Sequence, residues 1–177
     1  MDFWNVLSKR RSYRRPFLNR PVPHEHLRLI VNAGLSAPSG RNAQTTQFVI
    51  VQDPKLLHAL GRMHRTNKAM QQAQAYIVCV IDAEPAPVHN GLSFQVEDCA
   101  AAVENMLLAI AALGYASVWV DGWLRVHDRA AIIGNRLGVP EDKRVRVVLP
   151  IGVPAETTER PPKSSFDNRV SFDRYKW

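Results

Sequence analysis

Glu97–Gly122 reads EDCAAAVENMLLAIAALGYASVWVDG. The pattern predicts one long buried helix followed at once by a buried strand. From Cys99 to Leu113 nearly every position is apolar, and the alanines fall on several faces rather than on one stripe. A helix that is apolar all round has to be covered all round. The run is no membrane span: it is about 15 residues long and is broken by Glu104 and Asn105, whereas about 20 residues are needed to cross a bilayer. The small residues Ala100, Ala101, Ala102, Ala109, Ala111 and Ala112 would let other helices approach closely. A small chain has little core of its own in which to hide such a helix, so a second copy of the protein is expected to cover part of it. The alternative is a central helix inside a monomer.

Elements alternate on both sides of this stretch. Asp2 to Lys9 reads as a short amphipathic helix capped by Asp2, with Phe3, Val6 and Leu7 on one side. Pro16, Pro21 and Pro23 then force an extended connection. His24 to Leu35 reads as a second helix with Leu27, Ile30 and Val31 inward, Gly34 near its end and Pro38 as a stop. Gln47 to Gln52 is a buried strand, and Asp53-Pro54 caps and opens a helix to about Gly61. Asn67 to Ala73 reads as a short helix, Ala75 to Ile81 as a second strand, and Asp82 to Leu92 as a proline-containing connection. Ser117 to Val120 reads as a third strand, Asp128 to Leu137 as a helix ended by Gly138, and Val145 to Ile151 as a fourth strand. Many helices with few strands argue for an α+β fold, a mixed α/β sandwich, rather than a doubly wound sheet. The whole chain reads as one domain. Residues 154–177 form a C-terminal arm whose Val170, Phe172, Tyr175 and Trp177 suggest docking, for instance on a partner subunit.

Composition narrows the function classes. The chain has 177 residues, 46% of them hydrophobic, and a mean hydropathy of −0.21, ordinary for a globular protein. Lys9, Arg10 and Arg11 are followed by no apolar run, so no signal peptide is expected. Cys79 and Cys99 stand alone in apolar runs and read as buried hydrophobes, which points to the cytoplasm. The net charge of +7 suits a phosphate-bearing cofactor or an anionic substrate. It is concentrated at Lys9, Arg10, Arg11, Arg14, Arg15 and Arg20, not in a stripe interleaved with aromatics as nucleic-acid binders carry.

GxGxxG, GxxxxGK[ST], HExxH and GxSxG are all absent. His24 and His26 are poorly spaced for a shared metal, so no metal site is expected. Three stretches carry chemistry. In Arg10-Arg11-Ser12-Tyr13-Arg14, guanidiniums about one helical turn apart with a hydroxyl between can hold a phosphate; a solvated basic helix end is the plain alternative. Ala37-Pro38-Ser39-Gly40-Arg41-Asn42 offers backbone and amide hydrogen bonds to a polar ligand edge, or is a simple surface turn. Trp119-Val120-Asp121-Gly122-Trp123 follows a buried strand, and strand ends with exposed N–H groups are common ligand positions.

In this order the three stretches resemble the nitroreductase-like family of FMN flavoproteins. RRSYR resembles its phosphate-binding motif, APSGRNAQ its loop after the second helix, and Glu97–Gly122 its central dimer helix followed by the strand that reaches the flavin. LGVPEDKRVRVVLPIGVP resembles its last core strand, and PPKSSFDNRVSFDRYKW its C-terminal arm. The resemblance implies a nitroreductase-like fold, with a central sheet flanked by helices and an arm exchanged with the partner of a homodimer. It implies that Arg10, Arg11, Ser12 and Arg14 bind the FMN phosphate and ribityl chain, with Lys163 near the phosphate. It implies that Pro38, Ser39, Gly40 and Asn42 reach the flavin of the other subunit, that Asn67 contacts the pyrimidine edge, and that Asp121 and Gly122 present backbone N–H groups to flavin N5.

Departures are visible too. The family often has Lys-x-Arg in the arm, where Lys163 is here followed two later by Ser165, so either a phosphate cation is lost, with Ser165 in its place, or Arg169 replaces it. Asn42-Ala43-Gln44-Thr45-Thr46 replaces a loop often ending in Pro-Trp. The short connection from Asp82 to Leu92 implies an open site of broad acceptance. The resemblance therefore implies an FMN-dependent oxidoreductase that uses NADH or NADPH to reduce a small nitroaromatic, quinone or similar acceptor in two hydride-transfer steps. It implies no catalytic side chain, because FMN carries the chemistry. The rivals are a flavin- or nucleic-acid-binding protein without turnover, and a family member with other reductive chemistry such as dehalogenation or ene reduction.

Overall fold

The structure, a computed structural model, describes residues 2–159 and 161–176; Trp177, expected to help dock the arm, lies outside them. Three strands form an antiparallel sheet in the order β1-β2-β3: β1 (Gln47–Val51), β2 (Ala75–Asp82) and β3 (Lys143–Ile151). β1 pairs with β2 from Gln47 opposite Val80 to Val51 opposite Tyr76. β2 pairs with β3 from Ala75 opposite Ile151 to Asp82 opposite Lys143, with a bulge at Cys79/Val80. Around the sheet lie α1 (Phe3–Lys9), α2 (His24–Leu35), α3 (Pro54–Arg62), α4 (Lys68–Gln71), α5 (Gln95–Ala112) and α6 (Arg129–Leu137).

The unbroken apolar run of β2 follows from burial of both its faces. Successive side chains point to opposite sides. Ala75, Ile77, Cys79 and Ile81 join a core with Val103, Met106 and Ile110 of α5 and Leu27 and Ile30 of α2. Tyr76, Val78 and Val80 join a second core with Leu60, Met70 and Ile133 beneath α3, α4 and α6. This is the mixed sandwich expected from the sequence. The helix starts are built by local chemistry: Asp53 Oδ1 accepts from Leu56 N–H at 2.9 Å before Pro54, and Asp2 Oδ1 accepts from Asn5 N–H at 3.2 Å. Gly138, at φ 70°, ends α6 in the left-handed conformation that glycine adopts without strain.

Four points correct or extend the expectations. Ser117–Val120 is not a regular strand. Ala116 pairs with Gly152 and Val120 with Val148, both antiparallel. That register sets Val118 opposite Pro150, and proline has no N–H to complete the bonded pair between them. The segment therefore runs along β3 on two isolated bridges. Second, α2 runs from His24 to Leu35 with Gly34 near its end, as expected, but packing sets the residue there: a Cβ on Gly34 would lie 2.9 Å from Met106 Cγ. Its role is to let α2 approach α5. Third, α1 buries only Val6, and Phe3 and Trp4 stand 60% and 76% exposed. Fourth, one protomer covers α5 on one side only. Cys99, Ala102, Val103, Met106, Leu107 and Ile110 are buried, whereas Ala100, Ala101, Leu108 and Ala111 are half-buried and Ala112 is exposed.

The first chemical stretch is anchored by Tyr13, 1% exposed. Tyr13 N–H donates to the Ser117 carbonyl at 2.8 Å. Its hydroxyl donates to the Pro16 carbonyl at 2.5 Å and accepts from the N–H groups of Ala155 at 3.1 Å and Glu156 at 3.3 Å. This pins the root of the C-terminal arm to the N-terminal segment. Beyond it, residues 161–170 are exposed, and Phe166 and Phe172 lie 6.1 Å apart. Tyr13→Phe strands buried backbone groups, so a loss of about 1–3 kcal/mol is expected. Urea unfolding checks it: the midpoint should fall with an unchanged slope.

Candidate cofactor site

α1 ends at Lys9, and Arg10 is already extended at φ −61°, ψ 128°. The arginines are thus not spaced by a helical turn as expected. Strand-like alternation does the sorting instead: Tyr13 points inward, and its neighbours Ser12 and Arg14 are exposed on the other face. Ser12 bridges Ser117 in parallel, so this segment becomes the outermost member of the sheet. Arg10 Nε lies 3.3 Å from the carboxylate of Glu104 on α5. Among the described residues Arg11 and Arg14 form no ion pair. Beside Ser12, the Ser117 hydroxyl is buried without a partner among the described residues.

From Ser117 the chain runs along β3 to Asp121 and Gly122 and turns there, with Leu124 N–H donating to the Asp121 carbonyl at 2.7 Å. The backbone N–H groups of Asp121 and Gly122 meet no acceptor among the described residues. Space beside Gly122 is open: a Cβ there would touch nothing within 4 Å. The Asp121 side chain is fully occupied. Arg125 grips it with Nε and Nη2, each at 2.7 Å, and Arg146 of β3 donates to the same Oδ1. Burial alone would push this carboxyl up, but the two guanidiniums outweigh it and hold its pKa below the usual 3.8. Asp121 is thus a fixed carboxylate, unsuited to donating a proton, and what the turn offers a ligand is its backbone.

Asn67 caps α4, its Oδ1 accepting from Met70 N–H at 3.4 Å. Its own N–H donates to His64 Nδ1 at 3.1 Å, and His64 stacks on Trp123 with centroids 4.8 Å apart. The Arg129 guanidinium covers Trp123 at 4.7 Å and donates to its carbonyl at 3.0 Å. Ser12, Asp121 and Gly122 thus lie along one sheet edge, and Asn67 on α4 is linked to its turn through His64 and Trp123. The sequence offered no sign of His64, Arg129 or Arg146 in this role, because their partners are distant in the chain.

Pro38, Ser39, Gly40 and Asn42 sit elsewhere. Gly40 N–H donates to Asp98 Oδ1 at 2.9 Å in the first turns of α5, and Phe94 fills the place of a Gly40 side chain, 2.5 Å from an ideal Cβ. Ser39 Oγ accepts from Gln44 N–H at 3.1 Å. Arg41, Asn42 and Gln44 all have positive φ, a conformation that costs non-glycine residues free energy. Glu104 and Asp98, which hold Arg10 and Gly40, are six residues apart on α5, roughly 9 Å along its axis. Lys163 and Ser165 are exposed on the arm and form no hydrogen bond or ion pair among the described residues. A cavity of about 860 Å³ opens between Arg125, α6 and the start of β3. None of the residues predicted from sequence lines it, though Arg125 and Arg146 do.

The edge fits a phosphate-bearing planar cofactor: unpaired Arg11 and Arg14 with the Ser12 hydroxyl at one end, two free N–H groups and open space at the other. Among the described residues no group of histidine, cysteine or acidic side chains could hold a metal, and no helix is long and apolar enough to cross a membrane.

Asp121→Asn keeps the turn but weakens the clamp. At pH 7 a loss on the order of 1–2 kcal/mol is expected, discounted for the solvent around exposed Arg125. Because the folded-state pKa is depressed, this stabilisation is present above the usual 3.8 and disappears as pH falls through the lower value. Urea unfolding across that range should show the gap between the variant and the parent closing on the acid side.

The sequence pattern of the Nitroreductase family matches residues 7–153. The chain is 31% identical over 172 residues, covering 97% of each, to a protein of Archaeoglobus fulgidus provisionally named NADH dehydrogenase/NAD(P)H nitroreductase. A structure from Bacteroides thetaiotaomicron with the same provisional name superposes with a TM-score of 0.81 at 28% identity, covering 97% of each chain. A provisionally named nitroreductase from Desulfovibrio desulfuricans, solved in complex with FMN, superposes at 0.77 with 26% identity, covering 98% of this chain and 97% of that one. Sequence and fold agree with the edge geometry: the chain belongs to the nitroreductase family.

Proposed function

We propose that this protein is a cytoplasmic, homodimeric, FMN-dependent oxidoreductase that takes hydride from NADH or NADPH and reduces small planar acceptors such as nitroaromatics or quinones. The observation that carries this reading is the pair of unpartnered N–H groups at Asp121 and Gly122, on the edge that begins with Ser12 and the free guanidiniums. Arg10, Arg11, Ser12 and Arg14 would hold the phosphate and ribityl chain. Asn67 would offer its amide to the pyrimidine edge, and the turn would donate to N5. Pro38, Ser39, Gly40 and Asn42 would reach the flavin of the partner, and Lys163, with Ser165 or Arg169, would approach the phosphate from the exchanged arm.

When bound, FMN supplies the two-electron chemistry between nicotinamide and acceptor. The chain's part is to bind and orient it, and to set N–H dipoles and guanidiniums where negative charge grows. Arg10 would turn from Glu104 toward the phosphate or bridge both. The half-open face of α5 and the exposed arm support the dimer.

The purified protein should show a two-band flavin spectrum that bleaches when NADPH or NADH is added without oxygen. Ser12→Ala combined with Arg14→Ala removes two contacts to the phosphate. FMN affinity should fall by roughly 100-fold or more, taking about 1.5–3 kcal/mol for each charge-assisted bond. Sedimentation should still find the dimer. Tight flavin retention in the double variant would sink the assignment.

A further inference from the structure

Two segments proposed to touch the flavin, Asn67 and the Asp121–Gly122 turn, are 54 residues apart in the chain, and one side chain spans them. The His64 ring lies at 25° to Trp123, centroid to centroid 4.8 Å. Trp123 directly follows Gly122, and the Arg129 guanidinium lies over its ring at 4.7 Å. On the other side His64 Nδ1 accepts the Asn67 N–H at 3.1 Å. The His64 carbonyl accepts from Gln71 Nε2 at 2.8 Å, which ties its backbone to α4.

We propose that His64 is a positioning residue of this site, which sets the separation of Asn67 from the Asp121–Gly122 turn and does so only as the neutral imidazole with its proton on Nε2. The proposal rests on the flavin reading given above.

An acceptor at Nδ1 requires that nitrogen to be unprotonated. Protonation would set two N–H groups against each other and bring a second cation to the ring that Arg129 already covers. Among the described residues the charged group that acts on the ring is Arg129 from α6; the Asn67 N–H at the start of α4 and Trp123 after the turn contact the ring, and Gln71 holds the His64 carbonyl. Burial first, and Arg129 second, keep the ring's pKa below the usual 6.5. Its stabilisation is therefore complete above 6.5 and lost as pH falls through the depressed value.

Flavin-fluorescence titration of the dimer with FMN, from pH 8 to pH 5, tests this beside two variants. His64→Phe keeps an aromatic face on Trp123 but has no acceptor. His64→Asn loses the stack but carries an oxygen near the Nδ1 position, and neither variant titrates there. At pH 8 the phenylalanine variant should bind FMN roughly 3- to 10-fold more weakly, the worth of one neutral hydrogen bond. The asparagine variant should recover part of that loss. The parent should lose more affinity toward pH 5 than either variant, whose smaller decline is that of the FMN phosphate itself, which titrates at about 6. Nitrogen NMR of the imidazole, with or without FMN, should report the Nε2–H tautomer at pH 8. Undiminished affinity in His64→Phe, the same acid step in both variants, or the opposite tautomer would each overturn the proposal. A parent that binds no FMN at any pH would overturn the flavin reading instead, while the tautomer still tests the clamp.

Discussion

A sheet of three strands has two edges, and an unpaired edge leaves a row of N–H and carbonyl groups unsatisfied. Most of this molecule depends on how the β3 edge is finished. Residues 116–120 lie along it, and Ser12 and Tyr13 lie along them. Pro150 stands where a continuous ladder would need a donor, so the added segment is held at its ends, by Ala116 on Gly152 and Val120 on Val148. The chain leaving Val120 is therefore free to turn at once. It turns at Asp121, leaving the N–H groups of Asp121 and Gly122 without an acceptor among the described residues. Placing Ser12 on the same edge puts a cationic segment in line with them.

Much of the fold was legible because its signals are local. Asp53-Pro54 opens α3 and Gly138 closes α6 as their chemistry dictates. The apolar run of β2 is explained by two cores fed by alternate side chains. Where the reading fell short, a distant neighbour decided. Gly34 fell near the helix end as read, yet the limit on its size is set by Met106 on another helix. RRSYR suggested helical spacing, but the Ser117 carbonyl draws Tyr13 into an extended bond. No local pattern could show that Pro150 would face Val118. The site divides in the same way. The candidate residues at 10–14 and 121–122 were picked out by local pattern, whereas the supports at His64, Arg129 and Arg146 exist only through contacts made in space.

The electrostatics of the turn have their own logic. A carboxylate beside an anionic ligand would repel it, and Asp121 stands at the turn proposed to face one. Arg125 and Arg146 together outnumber its charge, so the local balance is positive although the residue is acidic. The carboxylate then serves as a mooring for β3 and the turn rather than as a field source. A partly buried pair of this kind contributes through geometry more than through net energy.

One chain leaves this arrangement open. The edge has a floor, but its loop partner at 38–42 is moored to Asp98, while Arg10 is moored to Glu104 farther along α5. In the proposed homodimer, packed through α5, the loop of each copy would meet the edge of the other. The half-buried Ala100, Ala101, Leu108 and Ala111 would then be covered, and the exposed Phe166, Phe172 and Tyr175 would find a surface to occupy. Small side chains allow that close approach. On this reading the long apolar helix is the element that makes the binding edge complete: without a second copy, Gly40 and Asn42 have no flavin to meet.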